Sequence, residues 1–250
     1  MPRPQTLIAT AAILGVSLLG GADAATASAS STTRHHGACA SVARGARSAA
    51  SQRRRCRVAD HTKQRSHRSS SFNRLRAASL ARESAIASVL ATPCQNTQLT
   101  PEPANLELAR NAVFCLVNRV RAEHAEAPLI RNSELEQAAE GHGAEMISVD
   151  YFEHISPTGE TPVDRIRLTG YIPGPQVGYV IGENLAWGTL SLATPQAIVE
   201  AWVASPKHLA NILEGQYRET GIGVVPSVPA ELSGGQPGAT YSQEFGVIIR

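Results

Sequence analysis

The uneven distribution of charge along the chain most limits where a folded core can form. Residues 31–82 contain thirteen Lys or Arg against one acidic residue, whereas residues 101–250 contain nine against eighteen. The formal charges of these segments are therefore +12 and −9, although the whole chain of 250 residues carries only +2. This asymmetry indicates a basic tail that contacts polyanions, joined to a domain with a different role.

Residues 1–24 are typical of a signal peptide. Arg3 supplies the positive start, the segment from Leu7 to Leu19 is apolar and uncharged, and Ala22-Asp23-Ala24 has the small-x-small cleavage pattern. A transmembrane helix needs roughly 20 apolar residues, and this run is shorter. We therefore expect a secreted, extracellular protein, released or associated with the cell wall. An uncleaved anchor is the alternative.

Residues 25–92 form a basic arm rich in Ser, Ala and Arg, with few large apolar side chains before Ile86. Such a segment cannot bury enough surface to offset its ordering entropy, so we expect disorder, with a short helix around residues 75–90. The expected partner is an anionic cell-envelope polymer or a lipid surface. A spacer without a specific partner is the alternative. Nucleic acid is not expected, because the protein is exported and aromatic residues barely interleave the charges.

The four cysteines allow three disulfide pairings. The economical choice joins Cys39 to Cys56 within the arm, and Cys94 to Cys115 at the entrance of the domain. Sequence alone leaves the pairing open. Because the chain has no Cys-x-x-Cys, a structural zinc site built on cysteine is not expected.

Residues 93–250 have the pattern of one folded domain. Apolar residues at helical spacing predict a first helix over residues 105–124, and Ser133 with Glu136 predicts a capping box for the second. Further helices are expected after Thr-Pro or Ser-Pro pairs, and strands over residues 221–225 and 241–249. Because helices come first and adjacent strands last, we expect an α+β domain with an antiparallel sheet.

Four segments place polar groups beside large apolar ones and are the candidates for chemistry. They are Tyr151–Pro157, Gly182–Ala186, Trp202–Leu213 and Tyr241–Gly246.

The order of these segments resembles bacterial members of the CAP superfamily, also called SCP or PR-1-like proteins. The resemblance covers about residues 94–250 and rests on these elements: Asn118-x-x-Arg121, His154 in an H-S element, Gly182-Glu183-Asn184, the W-x-x-S-x-x-H-x-x-N-I-L run that starts at Trp202, and Tyr241-x-Gln243. It implies a three-layer α–β–α sandwich with a cleft over the sheet.

The resemblance also implies a cleft tetrad of two His and two Glu, of which only His154 and Glu183 match. Ser205 and Thr240 replace the other Glu and His. We expect His208 to supply the missing imidazole.

The predicted cleft and ligand-binding residues are therefore His154, Glu183, Asn184, His208 and Asn211. If His154, Glu183 and His208 converge, they suit a divalent cation such as zinc with an open position. The alternative is a hydrogen-bonded polar cluster that locks loops together.

Three functions follow from this reading. The first is a secreted, envelope-associated binding module whose His/Glu cleft holds a divalent metal. The second is a metal-dependent hydrolase acting on cell-wall polymer or peptide. The third is a purely electrostatic surface protein whose domain is a stable cap. The chain has no Gly-x-Ser-x-Gly, so serine nucleophile chemistry has little support. His142, on the apolar stripe of the second helix, is expected to be a core histidine.

Overall fold

Four helices of the domain start where the chain supplies a capping side chain or a proline. These helices begin at Ser133, Pro162, Pro195 and Pro206.

The structure, a computed structural model, describes residues 72–249. Residues 72–91 form helix α1, which confirms the short helix expected in the arm. The predicted signal peptide, most of the arm, Cys39 and Cys56 lie outside the described residues. Between residues 72 and 249, no helix is both long and apolar enough to cross a membrane.

The folded unit that runs from Ala85 onward contains the remaining elements. In chain order they are α2 (Leu106–Glu123), β1 (Ile130–Arg131), α3 (Ser133–Val149), α4 (Pro162–Leu168), β2 (Gly178–Thr189), a 3-10 turn (Leu190–Ala193), α5 (Pro195–Ala204), α6 (Pro206–Leu213), β3 (Glu219–Val225), α7 (Ala230–Ser233) and β4 (Gly238–Ile249).

The four strands form one sheet in the order β1-β3-β4-β2. Strand β4 pairs antiparallel with both β2 and β3, which confirms the expected antiparallel sheet for the long strands. The two-residue strand β1 adds a parallel pair at the edge of β3. Strand β2 was not predicted, because a strand buried on both faces has no apolar–polar alternation.

Helices cover both faces of the sheet, as the expected α–β–α sandwich requires. On one face α3 packs so closely that a Cβ added to Gly221 would lie 1.9 Å from the backbone nitrogen of Glu136. On the other face Ile222 and Val224 join a core cluster with α2, α5 and α6. Because side chains alternate along a strand, each strand contributes every second residue to each layer.

Helix α2 is tied to its surroundings from its middle to its C-terminal end. A disulfide joins Cys94 to Cys115 with a Cα separation of 5.6 Å, which confirms the predicted pair at the domain entrance. Further along, Asn118 bonds both backbone groups of Leu129, accepting from its nitrogen at 2.7 Å and donating to its oxygen at 3.1 Å. The buried Arg121 donates to the carbonyl of Ile212 at 2.5 Å.

The predicted cap of α3 is wrong by one residue. Asn132, not Ser133, is the cap, because its side-chain oxygen accepts from the backbone nitrogens of Glu134 and Leu135, each at 3.0 Å.

Candidate functional site

Glu183 lies in the middle of β2, with its side chain on the face that α3 covers. Its neighbours on that face, Ile181 and Leu185, pack in the two core clusters that α3 contributes to. Glu183 is 2% exposed. A carboxylate buried this deeply needs charged or hydrogen-bonding partners, and the surrounding helices supply them.

Two basic side chains bond the Glu183 carboxylate directly. Arg165 donates from Nη2 to Oε2 at 2.9 Å, and the Nδ1 of His154 lies 2.5 Å from Oε1. Since an ionised carboxylate only accepts, His154 carries its proton on Nδ1. His142 lies farther away, with Nε2 at 3.8 Å from Oε2.

His142 is fully buried in α3, and its Nε2 lies 3.0 Å from the carbonyl oxygen of Glu153. The expectation of a core histidine is therefore confirmed, although this histidine also borders the Glu183 site.

Helix α4 positions Arg165. Thr161 and Asp164 form a complete capping box, and Pro162 occupies the first turn, as the Thr-Pro pair predicted. One turn later, Arg165 Nη2 also donates to the carbonyl oxygen of His154 at 2.8 Å. The same nitrogen therefore joins the loop that carries His154 to the strand that carries Glu183.

A second buried carboxyl group lies beside the first. Glu244 on β4 is the register partner of Glu183, and it is 0% exposed. Among residues 72–249, neither carboxyl oxygen of Glu244 accepts a hydrogen bond. The Glu183 carboxyl is close enough to interact with it, and one proton on Glu244 would turn this contact into a hydrogen bond.

The two carboxyl groups have opposite electrostatic surroundings. Burial alone would raise the pKa of Glu183, but the His154 hydrogen bond and the charges of His142 and Arg165 outweigh it and hold the pKa at about 2. Burial and the negative charge of Glu183 raise the pKa of Glu244 well above its usual range. Burial lowers the pKa of His142, so Arg165 is the permanent cation of the cluster.

The other predicted site residues lie on the opposite face of the sheet. Asn184 follows Glu183 in the strand and therefore points toward α6, where its Nδ2 donates to the carbonyl of His208 at 3.2 Å. Asn211 donates to Asn184 Oδ1 at 3.1 Å. The structure thus brings His154 and Glu183 together but does not bring His208 to them, because β2 lies between the two groups.

Trp202 and Asn211 cap the outer edge of β2. The indole Nε1 of Trp202 donates to the carbonyl of Leu185 at 3.1 Å, and Asn211 Nδ2 donates to the carbonyl of Glu183 at 3.0 Å. These carbonyls would otherwise stay unpaired at a sheet edge. The W-x-x-S-x-x-H-x-x-N run thus positions the strand that carries Glu183.

The predicted cleft residues are packed rather than open to solvent. His154 is the most exposed of the five, at 7%. In the part of the chain that the structure describes, no group of three or more His, Cys, Asp or Glu side chains is arranged to hold a metal ion. Both Glu183 oxygens already interact with nitrogen donors, and the Arg165 guanidinium would repel a cation. The donor set present therefore does not fit a divalent metal.

Sequence reasoning missed Arg165 and Glu244. Arg165 carried no signal beyond its place one turn after a Thr-Pro cap. Glu244 is an acidic residue between Gln243 and Phe245 in a predicted strand, and this placement is a signal that the site hypothesis did not use.

A comparison with protein families decides the identity of this fold. Residues 114–229 match the model of the CAP family, described as the cysteine-rich secretory protein family. The folded unit is a CAP domain. The matched segment begins within α2 and ends after β3, and therefore includes all five predicted cleft residues as well as Arg165.

Two Bacillus subtilis proteins resemble the chain that carries this CAP domain. The uncharacterized protein YkwD is 29% identical over 156 residues, which cover 62% of this chain and 53% of YkwD. The uncharacterized membrane protein YlbC is 30% identical over 112 residues, which cover 45% of this chain and 30% of YlbC. The chain therefore spans about half of the first relative and less of the second.

Among solved structures, an extracellular SCP-domain protein from Bacillus anthracis is 26% identical, with a TM-score of 0.44. The match covers 58% of this chain and 43% of that protein.

The CAP domain lacks two residues of the tetrad that the resemblance implied. Ser205 is the N-cap of α6, although its side chain makes no capping hydrogen bond. Thr240 donates from its hydroxyl to the carbonyl of Ser227 at 2.8 Å.

Proposed function

We propose that this protein is an extracellular, envelope-associated binding protein in which the basic arm makes the contact and the CAP domain is the displayed module. The observation that carries the proposal is the division of charge, +12 over residues 31–82 and −9 over residues 101–250. An anionic surface attracts the first segment and repels the second. The same field therefore draws the arm to the surface and holds the domain away from it.

The part of the arm that the structure describes fits a surface contact. Helix α1 contains Arg74, Arg76 and Arg82 against one acidic residue, Glu83. Four of its large apolar side chains are exposed, Phe72 at 72%, Leu75 at 69%, Leu80 at 56% and Leu90 at 40%. Basic and apolar side chains on one helix suit a lipid surface as well as an anionic polymer.

An exported location is part of the proposal. The leader pattern of residues 1–24 supports it, and so does a disulfide in the CAP domain, since disulfides persist in oxidising compartments. The similar protein from Bacillus anthracis is described as extracellular.

A metal-dependent hydrolase is the alternative function. It needs a cation with an open position near Glu183, and the guanidinium of Arg165 already lies there. The binding role needs no such cation, and for this reason we prefer it.

The test measures binding of the mature chain to anionic lipid vesicles and to purified wall polymer at several salt concentrations. We expect binding that weakens steeply as salt rises, because contacts between exposed charges are screened. A variant lacking residues 31–82 should lose binding. A second variant with the thirteen basic residues of that segment replaced by Gln keeps the length and should also lose it. Undiminished binding by either variant would show that the arm is not the contact.

A further inference from the structure

The buried cluster around Glu183 contains two carboxyl groups, whose negative charges need compensation. Glu183 and Glu244 are register partners on adjacent strands and point to the same face of the sheet. Directly opposite residues have Cβ atoms about 4.5–5.5 Å apart, so the two groups share one environment. Both are at most 2% exposed, and an uncompensated charge in such a place is costly.

The described groups around this pair supply one permanent positive charge. Helix α4 contributes Arg165, which bonds Glu183 at 2.9 Å. Helix α3 contributes His142, and the loop before α4 contributes His154. Strand β3 contributes no ionisable group at this position, because the residue opposite Glu244 is Gly221. Counted against this guanidinium alone, two carboxylates leave one negative charge unbalanced.

We infer that Arg165 and one proton held between Glu183 and Glu244 take the place of a divalent cation in this CAP domain. A divalent cation would bring two positive charges to the two carboxylates, and a guanidinium with a proton brings the same two. The proton resides on Glu244, because Glu183 already accepts from Arg165 and His154. When protonated, Glu244 donates a hydrogen bond to the Glu183 carboxylate. It is then neither charged nor without a hydrogen-bond partner.

This arrangement gives the cluster a mechanical role that needs no metal. Through Arg165, the Glu183 carboxylate holds both α4 and the backbone of His154 against the sheet. The neutral Glu244 keeps a second negative charge away from that junction. The inference concerns the core of the CAP domain and does not depend on whether the arm binds an anionic surface.

The experiment is infrared spectroscopy of the full chain at neutral pH, combined with calorimetric titration of zinc alone. A protonated carboxyl group has a C=O stretch at higher frequency than a carboxylate. We expect this band in the wild type and its loss in Glu244→Gln, which keeps the shape and the donor. Glu219→Gln on the neighbouring strand β3 is the matched control and should keep the band. Zinc should not bind at the cluster.

Two results would overturn the inference. The first is a wild-type spectrum identical to that of Glu244→Gln in the protonated-carboxyl region. The second is stoichiometric zinc binding that disappears in Glu244→Gln or Glu183→Gln but persists in Glu219→Gln. Because Glu244→Gln is nearly isosteric, its circular dichroism spectrum should match the wild type. The spectrum of the unmodified chain decides the first point even if a variant misfolds.

Discussion

Replacing Glu244 by Gln should make the protein more stable, by an amount that grows as pH rises. The amide NH2 of Gln donates to the Glu183 carboxylate as a protonated Glu244 would, but it has no proton to lose. In the wild type, burial and the charge of Glu183 raise the pKa of Glu244. The folded wild type therefore retains a proton that the unfolded chain releases.

The sign and size of the effect follow from proton linkage. Above the unfolded pKa of about 4.3, the unfolded chain has lost the Glu244 proton while the folded state keeps it. The free energy of unfolding of the wild type then falls by about 1.4 kcal/mol for each pH unit, until the folded pKa is reached. Glu244→Gln lacks this contribution, so the two stabilities diverge with that slope. Contributions from other groups, such as His142, cancel in the difference.

Glu183→Gln should behave in the opposite way. Because the surroundings lower the pKa of Glu183 to about 2, its contribution to stability is present above the unfolded pKa of about 4.3 and is lost as pH falls toward 2. This variant should be less stable than the wild type at neutral pH, and the deficit should shrink in acid. The contrast separates Glu244 from a general effect of removing a carboxyl group.

Urea unfolding followed by circular dichroism, from about pH 2 to about pH 8, measures these differences. The reasoning is refuted if the curves of the wild type and Glu244→Gln run parallel across that range. It is also refuted if Glu244→Gln loses stability relative to the wild type as pH rises.

Urea unfolding also checks three further predictions. Gly221→Ala should lower the free energy of unfolding by about 3 kcal/mol, because its Cβ would meet the α3 backbone. Gly141→Ala, on the open side of α3, should raise it by about 1 kcal/mol. Equal effects would contradict the tight packing of α3. The double variant Cys94→Ala, Cys115→Ala should lose about 3 kcal/mol, and unchanged stability would argue against the disulfide. Asn211→Ala should cost about 1–3 kcal/mol, since two buried acceptors lose their donor; no loss would argue against the cap at the β2 edge.

The parts of the fold that sequence predicted correctly are those with local causes. Pro162 and Pro195 fix the starts of α4 and α5 through the backbone geometry of proline. Cys94 and Cys115 were paired correctly because Cys94 lies on the segment that leads into α2 and Cys115 lies within α2. The cap of α3 was misplaced by one residue because both Asn132 and Ser133 are good caps, and the choice between them depends on backbone geometry.

Strand β2 could not be read from its sequence in the same way. Helices cover both of its faces, so Ile181 to Ala186 are all buried and polar residues do not alternate with apolar ones. The Gly-Glu-Asn element lies within this strand but shows no strand pattern.

The predicted site residues lie on two different faces of the sheet because side chains alternate along a strand. Glu183 and Asn184 are adjacent in sequence, but in a strand adjacent side chains point to opposite layers. Glu183 therefore meets His154 and Arg165, whereas Asn184 meets α6 and His208. When a motif is not known to be a strand, its sequence does not show which side chains face which layer. Residues from both layers, such as Glu183 and His208, were therefore assigned to one metal site. The same alternation also explains why Glu244 was overlooked: only the β2–β4 register places it opposite Glu183. Glu244 alone is visible as an acidic residue in a predicted strand, but its pairing with Glu183 depends on register and has no trace in either strand's own sequence.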